Sequence, residues 1–292
     1  MKVRHVVVIG AARSGTRMLR DTLATAAGAG VIPYDIGYVW RSGNEGAPDD
    51  VIPPEEIDAR TRRFIRTFVE RYADGDPATV IEKTVGNALR VPAVAEVLPD
   101  AVYIHLIRDG VDAIESARRQ WTAKADMRYL VAKAQHFPWR LIPTYGLKYV
   151  RSQLRRRSSA DQRVISWGPR YPGIDADLAS GDLLTVCARQ WKCAVQMATA
   201  DLSRLGVPVV NIRYEDLVAH PAAQLSAVID QAGLTPTGDL KSAAAVIGVD
   251  RRGCGRRSLT SSELTVLDGE VGALLSDLGY ERPVPPRTLG RK

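Results

Sequence analysis

Residues 6–17 read VVVIGAARSGTR, and no other segment restricts the chain as much. Val6, Val7, Val8 and Ile9 have the length and β-branched content of a buried parallel strand. The run ends on Gly10, and Gly15-Thr16 followed by Met18, Leu19 and Leu23 has helical spacing, so a Gly-rich turn joins strand to helix. Backbone N–H groups at such a helix N-terminus, together with the macrodipole, hold an anion such as phosphate. The turn nevertheless departs from the G-x-x-x-x-G-K-[ST] phosphate loop, which needs Lys and then a hydroxyl after the second glycine. Those places hold Thr16 and Arg17, and the cation has moved inside the loop to Arg13. A phosphate cradle lacking the usual magnesium ligand predicts a donor whose chemistry needs no metal.

A chain of 292 residues, 45% of them hydrophobic, supports a sizeable core, and a single domain over 1–282 is expected. Forty Lys and Arg against 33 Asp and Glu leave +7, which implies attraction to anions without choosing among them. The arginines are scattered among motifs and form no nucleic-acid recognition module. Cys187, Cys193 and Cys254 are odd in number and have no C-x-x-C spacing, against a disulfide scaffold or structural zinc. MKVRH leads directly into the first strand, and no stretch reaches about 18 apolar residues, so neither a signal peptide nor a transmembrane span is expected. A cytoplasmic location is the corresponding expectation.

Strand-like runs recur at Val6–Ile9, Thr79–Ile81, Val102–Ile107 and Val207–Ile212, with helical patterns between them. This spacing predicts βαβ units, hence an α/β fold with a mostly parallel central sheet flanked by helices. Helices are predicted over Ile57–Tyr72, Val111–Arg119, Leu183–Leu205, Ala222–Gln231 and Ser261–Leu278. From about 121 to 182 the pattern loosens into aromatics, arginines and prolines, read as a mainly helical or irregular insertion over the sheet's carboxyl edge that shapes an acceptor site. RPVPPRTLGRK, beginning at Arg282, ends the chain in a basic, proline-rich tail over 283–292.

Four more segments follow predicted strands or lead into helices. Arg108-Asp109 ends one strand, and Ser116 lies two helical turns on, so Arg108 and Ser116 can face one anion. Lys83 follows another strand in EKTVGNALR, and Tyr214-Glu215-Asp216 follows a third. The basic loop RRGCGRRSLTSSEL, with Arg256 and Arg257, leads into a helix carrying Thr260 and Glu263 as a capping signal.

Together these segments resemble the sulfotransferases that use 3′-phosphoadenosine-5′-phosphosulfate (PAPS), whose fold is similar to that of P-loop NTPases. That family's 5′-phosphosulfate loop, [PK]-[RK]-S-G-T-[TS], is similar to Ala12-Arg13-Ser14-Gly15-Thr16-Arg17, and its R-D-P-x-D-x-x-x-S motif is similar to Arg108 through Ser116. Ala12 and Gly110 stand where prolines are frequent, and Arg17 replaces a second hydroxyl. Glu82-Lys83-Thr84, Gln190-Trp191, the Tyr-Glu-Asp-Leu segment and the late basic loop extend the likeness from residue 10 to about 260.

The resemblance implies transfer of a sulfuryl group from PAPS to a hydroxyl acceptor, leaving adenosine 3′,5′-bisphosphate, without metal. It implies that Arg13 and Lys83 stabilise charge building on the bridging oxygen. The amides and hydroxyls of Ser14, Gly15 and Thr16 would hold the 5′ group, flanked by Ala12 and Arg17. Arg108, Ser116 and one of Arg256 or Arg257 would bind the 3′-phosphate, and Tyr214 would touch adenine. A carboxylate after the first helix serves as base in related enzymes, which points to Asp35, with Glu45 as runner-up. His105 reads as a sheet histidine, His136 falls in the insertion, and Trp191 reads as core. The acceptor stays open among carbohydrates, glycolipids, phenols and other small molecules, as does the oligomeric state. Two alternatives share some of these features: a P-loop small-molecule kinase or NTPase, and a basic module binding nucleic acid or membrane. The segment GLKYVRSQLRRR, a candidate cationic amphipathic helix, leaves peripheral membrane contact open.

Overall fold

A computed structural model describes residues 2–122, 167–238, 240–247 and 251–284. It divides into two compact units, one made of Met1–Arg118 with Gly168–Lys292 and the other of Arg119–Trp167. In the second unit the rings of Trp121 and Trp167 meet edge-on at 6.4 Å. His136, GLKYVRSQLRRR and the last residues of the basic tail lie outside the described residues.

The first unit is built on five parallel strands: β1 (Arg4–Ile9), β2 (Gly30–Val31), β3 (Thr79–Glu82), β4 (Val102–Ile107) and β5 (Val209–Arg213). Their order is β2-β3-β1-β4-β5. The expected α/β architecture is therefore present, and four of the five strands coincide with the predicted runs. The fifth, β2, has two residues and no apolar run to betray it. Val6 to Ile9 are all fully buried, as in a strand covered on both faces, and each such side chain contributes about 1.5–3 kcal/mol.

Helix α1 (Thr16–Ala27) follows β1 and buries Leu19, Leu23 and Ala26 against the sheet. A short helix α2 (Gly37–Trp40) comes next, then α3 (Ala59–Glu70), capped by Asp58 through the Thr61 amide, and α4 (Val91–Val97). Helix α5 (Gly110–Thr122) leaves β4, α6 (Ile174–Ser180) precedes α7 (Leu183–Leu205), and α8 (Tyr214–Ala219) leaves β5. The chain ends with α9 (Pro221–Gln231), α10 (Leu240–Ala245), α11 (Cys254–Ser258) and α12 (Ser261–Asp277), the last carrying the predicted Thr260–Glu263 capping box.

The strand order fixes where a ligand can enter. After β1 the chain crosses to the edge strand β2, returns to β3 beside β1, and then places β4 and β5 on the other side. The direction reverses between β1 and β4, and open α/β sheets take ligands beyond the strands' carboxyl ends at such a switch point. The loop after Ile9 and the Arg108-Asp109 pair after Ile107 both lie there.

Candidate active site

The loop Gly10–Gly15 is held in a shape few residues adopt. Arg13 has φ of 68°, the single non-glycine residue with positive φ among the described residues, and Gly15, at the N-cap of α1, has φ of 93°. Gly15 is also in close contact with Tyr214, since a Cβ there would lie 2.8 Å from the ring. The Ser14 amide closes a turn on Ala11 O at 3.2 Å. Ser14 is fully buried, and its Oγ has no hydrogen-bond partner among the described residues.

Opposite the loop, Arg13 Nε donates to Ser116 Oγ at 3.0 Å. Arg108 is buried at the end of β4. Its Nη1 donates to Arg13 O at 3.0 Å, its Nη2 to Arg251 O at 3.3 Å, and its guanidinium lies 4.2 Å from the centre of the Tyr214 ring. The Arg108 Nε has no partner among the described residues. One guanidinium thus ties the first loop to the late basic loop, with an aromatic face beneath it.

Asp112, four residues after Arg108, fixes that late loop. Its carboxylate accepts from the Gly253 and Gly255 amides, both at 2.7 Å, and stands 3.8 Å from Arg108 Nη2. The i,i+4 spacing within R-D-x-x-D is a sequence signal that could have singled it out. Arg256 turns to Asp109, 3.2 Å away, and to the carbonyls of Glu281 and Arg282, while Arg257 bonds Arg252 O and Cys254 Sγ. What the late loop presents to Arg108 is therefore the Arg251 carbonyl. Arg17 is 69% exposed and pairs with Asp21 at 3.7 Å, and Ala12 is buried under the loop.

A second group sits at the end of β3. Lys83 Nζ, nearly buried, bonds the Asp35 carboxylate, which is more open to solvent. Behind Lys83 the fully buried Glu82 accepts from Trp40 Nε1 at 3.1 Å and Asn87 Nδ2 at 3.0 Å, and burial pushes its pKa up. Glu45 accepts from the Gly43 amide at 3.1 Å in the loop after α2. Asp50 gathers Arg41 at 2.9 Å, Arg90 at 3.3 Å and the Arg170 amide at 2.8 Å, pinning that loop to the start of α4 and to residue 170. Arg20 and Asp50 carry no motif singled out from the sequence, and Glu82 and Asp112 stand inside motifs that gave them no role of their own, because their partners come largely from other segments.

Gly110, in the place of a frequent proline, is explained by Trp191. A Cβ at residue 110 would lie 2.9 Å from three atoms of the indole, so the tryptophan packs on the start of α5. Trp191 is core, as its place on α7 predicts. His105 is also buried in β4, where loss of hydration pushes its pKa down to about 4.

The arrangement has two parts: amides, hydroxyls and guanidinium groups gathered at the switch point, and a Lys–Asp pair at the neighbouring strand end. Residues 40–166 match the model described as the sulfotransferase family. No curated protein matches the chain. Among solved structures, sulfotransferase STF9 from Mycobacterium avium superposes with a TM-score of 0.56 at 12% identity, over 97% of this chain and 78% of that one. A sulfotransferase from Alicyclobacillus acidocaldarius gives 0.46 at 15% identity, over 96% and 97%. The first of these likenesses shows a shared fold.

Proposed function

We propose that this chain, whose residues 40–166 match the sulfotransferase family model, is a sulfotransferase that moves a sulfuryl group from PAPS to the hydroxyl of a carbohydrate, glycolipid, phenol or other small acceptor. The observation that carries the reading is the pair of buried donors at the switch point, Ser14 Oγ and Arg108 Nε, that have no partner among the described residues. A buried polar group without a partner is costly, about 1–3 kcal/mol, and a bound anionic oxygen would satisfy each. PAPS carries anions at both its 5′ and 3′ ends, and when bound supplies a sulfuryl group already activated on a phosphate.

The residues present fit such a donor. The Gly15 and Thr16 amides with Ser14 Oγ would hold the 5′ group at the N-terminus of α1. Arg108 and Ser116 would hold the 3′-phosphate, a charge-assisted contact and a hydroxyl contact. Arg13 reaches from the first group to the second, and its guanidinium would neutralise charge that grows on the leaving oxygen. Lys83 supplies a further cation from the end of β3 and keeps the Asp35 carboxylate oriented. Asp35 would take the proton from the acceptor hydroxyl, a role typically worth about 10²–10⁴-fold. The three free thiols suit a reducing compartment such as the cytoplasm.

Thermal-shift titration with adenosine 3′,5′-bisphosphate and with ATP-Mg²⁺ tests the donor. Stabilisation follows binding to the native state, so the bisphosphate should raise the Tm and ATP-Mg²⁺ should not. The opposite pattern would favour a P-loop kinase or NTPase, and salt-sensitive binding to DNA or anionic vesicles without either response would favour a basic binding module.

A further inference from the structure

We propose that Arg20 is a positioning residue for Asp35, its buried guanidinium holding the backbone just ahead of that carboxylate in register with the donor loop. The proposal rests on the sulfuryl-transfer reading above. Arg20 is 2% exposed on α1, one residue after the buried Leu19. Its Nη1 donates to Ile32 O at 2.7 Å and its Nη2 to Pro33 O at 3.4 Å, while its Nε donates to Asp21 Oδ1 at 2.7 Å. Asp21 supplies the counter-charge from the same helix, its Oδ1 lying 2.7 Å from Nε and 2.5 Å from Nη2, so Nη1 is the donor given wholly to the other segment, at Ile32 O.

Those carbonyls need a donor from outside the sheet. Strand β2 lies at the sheet edge and pairs with β3 over Gly30 and Val31 alone. Pro33 has no N–H to extend a ladder. A buried backbone carbonyl left unpaired is destabilising, and Arg20 meets that need for the buried Ile32, with the carbonyl of the exposed Pro33 as a second, longer contact. On the far side of Asp35, the Ile36 amide donates to Thr84 Oγ1 at 3.1 Å. The carboxylate is therefore set between two clamps, one from α1 and one from the end of β3, with Lys83 on its oxygen. Helix α1 begins at the donor loop, so one rigid element carries the cradle at its N-terminus and the support for the base one turn later.

Such a role separates from plain stability. A misplacement of 1 Å at a reacting group can lower a rate by about 10²-fold, and a lysine lacks the planar fork that spans two carbonyls. Arg20→Met and Arg20→Lys are compared with the native protein for affinity toward adenosine 3′,5′-bisphosphate, turnover of PAPS with a panel of phenolic and sugar acceptors, and amide hydrogen exchange. Arg20→Met should leave bisphosphate affinity within about threefold, lower kcat by roughly 10–100-fold with little change in KM for PAPS, and speed exchange over residues 31–37 but not over β4. Arg20→Lys should fall between. In an Asp35→Asn background, Arg20→Met should lower kcat no further. Exchange over 31–37 unchanged in both variants, or kcat losses that multiply in the double variant, would overturn the proposal. Absence of PAPS turnover by the native protein with every acceptor would instead overturn the sulfuryl-transfer reading, and the exchange measurement would still decide whether Arg20 holds the segment.

Discussion

Arg13 Nε donates to Ser116 Oγ at 3.0 Å, across 103 residues of sequence. The bond joins the loop after β1 to the helix after β4, and it depends on a backbone conformation that disfavours a side chain. At φ of 68° an arginine carries strain of about 1–2 kcal/mol. The surroundings over-determine that conformation, through the Ser14–Ala11 turn on one side and the Arg108 bond to Arg13 O on the other.

Replacing Arg13 separates strain from function. Arg13→Gly should keep or raise stability by up to about 1 kcal/mol, because glycine adopts positive φ freely, while transfer falls by about 10²–10³-fold. Arg13→Ala should lose as much transfer without that gain. Urea unfolding beside a transfer assay checks both, and an Arg13→Gly protein that retains native turnover would remove the guanidinium from the mechanism.

Arg108→Ala should act on binding. It deletes a charged donor set and frees two loops at once, so affinity for adenosine 3′,5′-bisphosphate should fall by about 10–100-fold, the size of a lost charge-assisted bond. Titration calorimetry measures this directly. Turnover at saturating PAPS should fall far less than with Arg13→Ala.

Asp35→Asn should lower kcat by about 10²–10⁴-fold with bisphosphate affinity unchanged. Lys83→Met leaves the Asp35 carboxylate without its bonded cation and should also lower kcat. If the two residues act as a unit, the double variant should be little slower than Asp35→Asn alone, a result read from one double-mutant cycle.

Gly110→Ala should destabilise by about 1–3 kcal/mol, since its Cβ would stand 2.9 Å from the Trp191 ring and one of the two must shift. Trp191→Phe makes room, so the Gly110→Ala penalty should shrink in that background. Denaturant midpoints of the four proteins give the answer, and equal penalties in both backgrounds would place the strain elsewhere.

His105 predicts an acid-sensitive stability. Its pKa is about 4 in the folded chain and about 6.5 when unfolded, so the unfolded chain binds more protons between those values. The contribution is fully present above pH 6.5 and is lost as pH falls toward 4, up to about 3 kcal/mol. His105→Gln should flatten the fall in stability between pH 7 and pH 5.5, and an unchanged slope in unfolding experiments would refute it.

The sequence by itself determined the alternation of strand and helix, because periodicity and glycine placement act over a few residues. It also determined which cations and hydroxyls follow strand ends, as with Arg13, Lys83, Arg108 and Tyr214. Only the tertiary structure decided the strand order that brings the loop after β1 beside Arg108, and the pairing of Lys83 with Asp35 rather than with the adjacent Glu82. It alone showed Arg256 bound to Asp109, Arg20 forked onto two carbonyls, and a two-residue β2 too short to leave a pattern. The reason is common to all of these: they are contacts between segments far apart in the chain, set by how strands stack and which buried donors must find acceptors, and no local spacing encodes them.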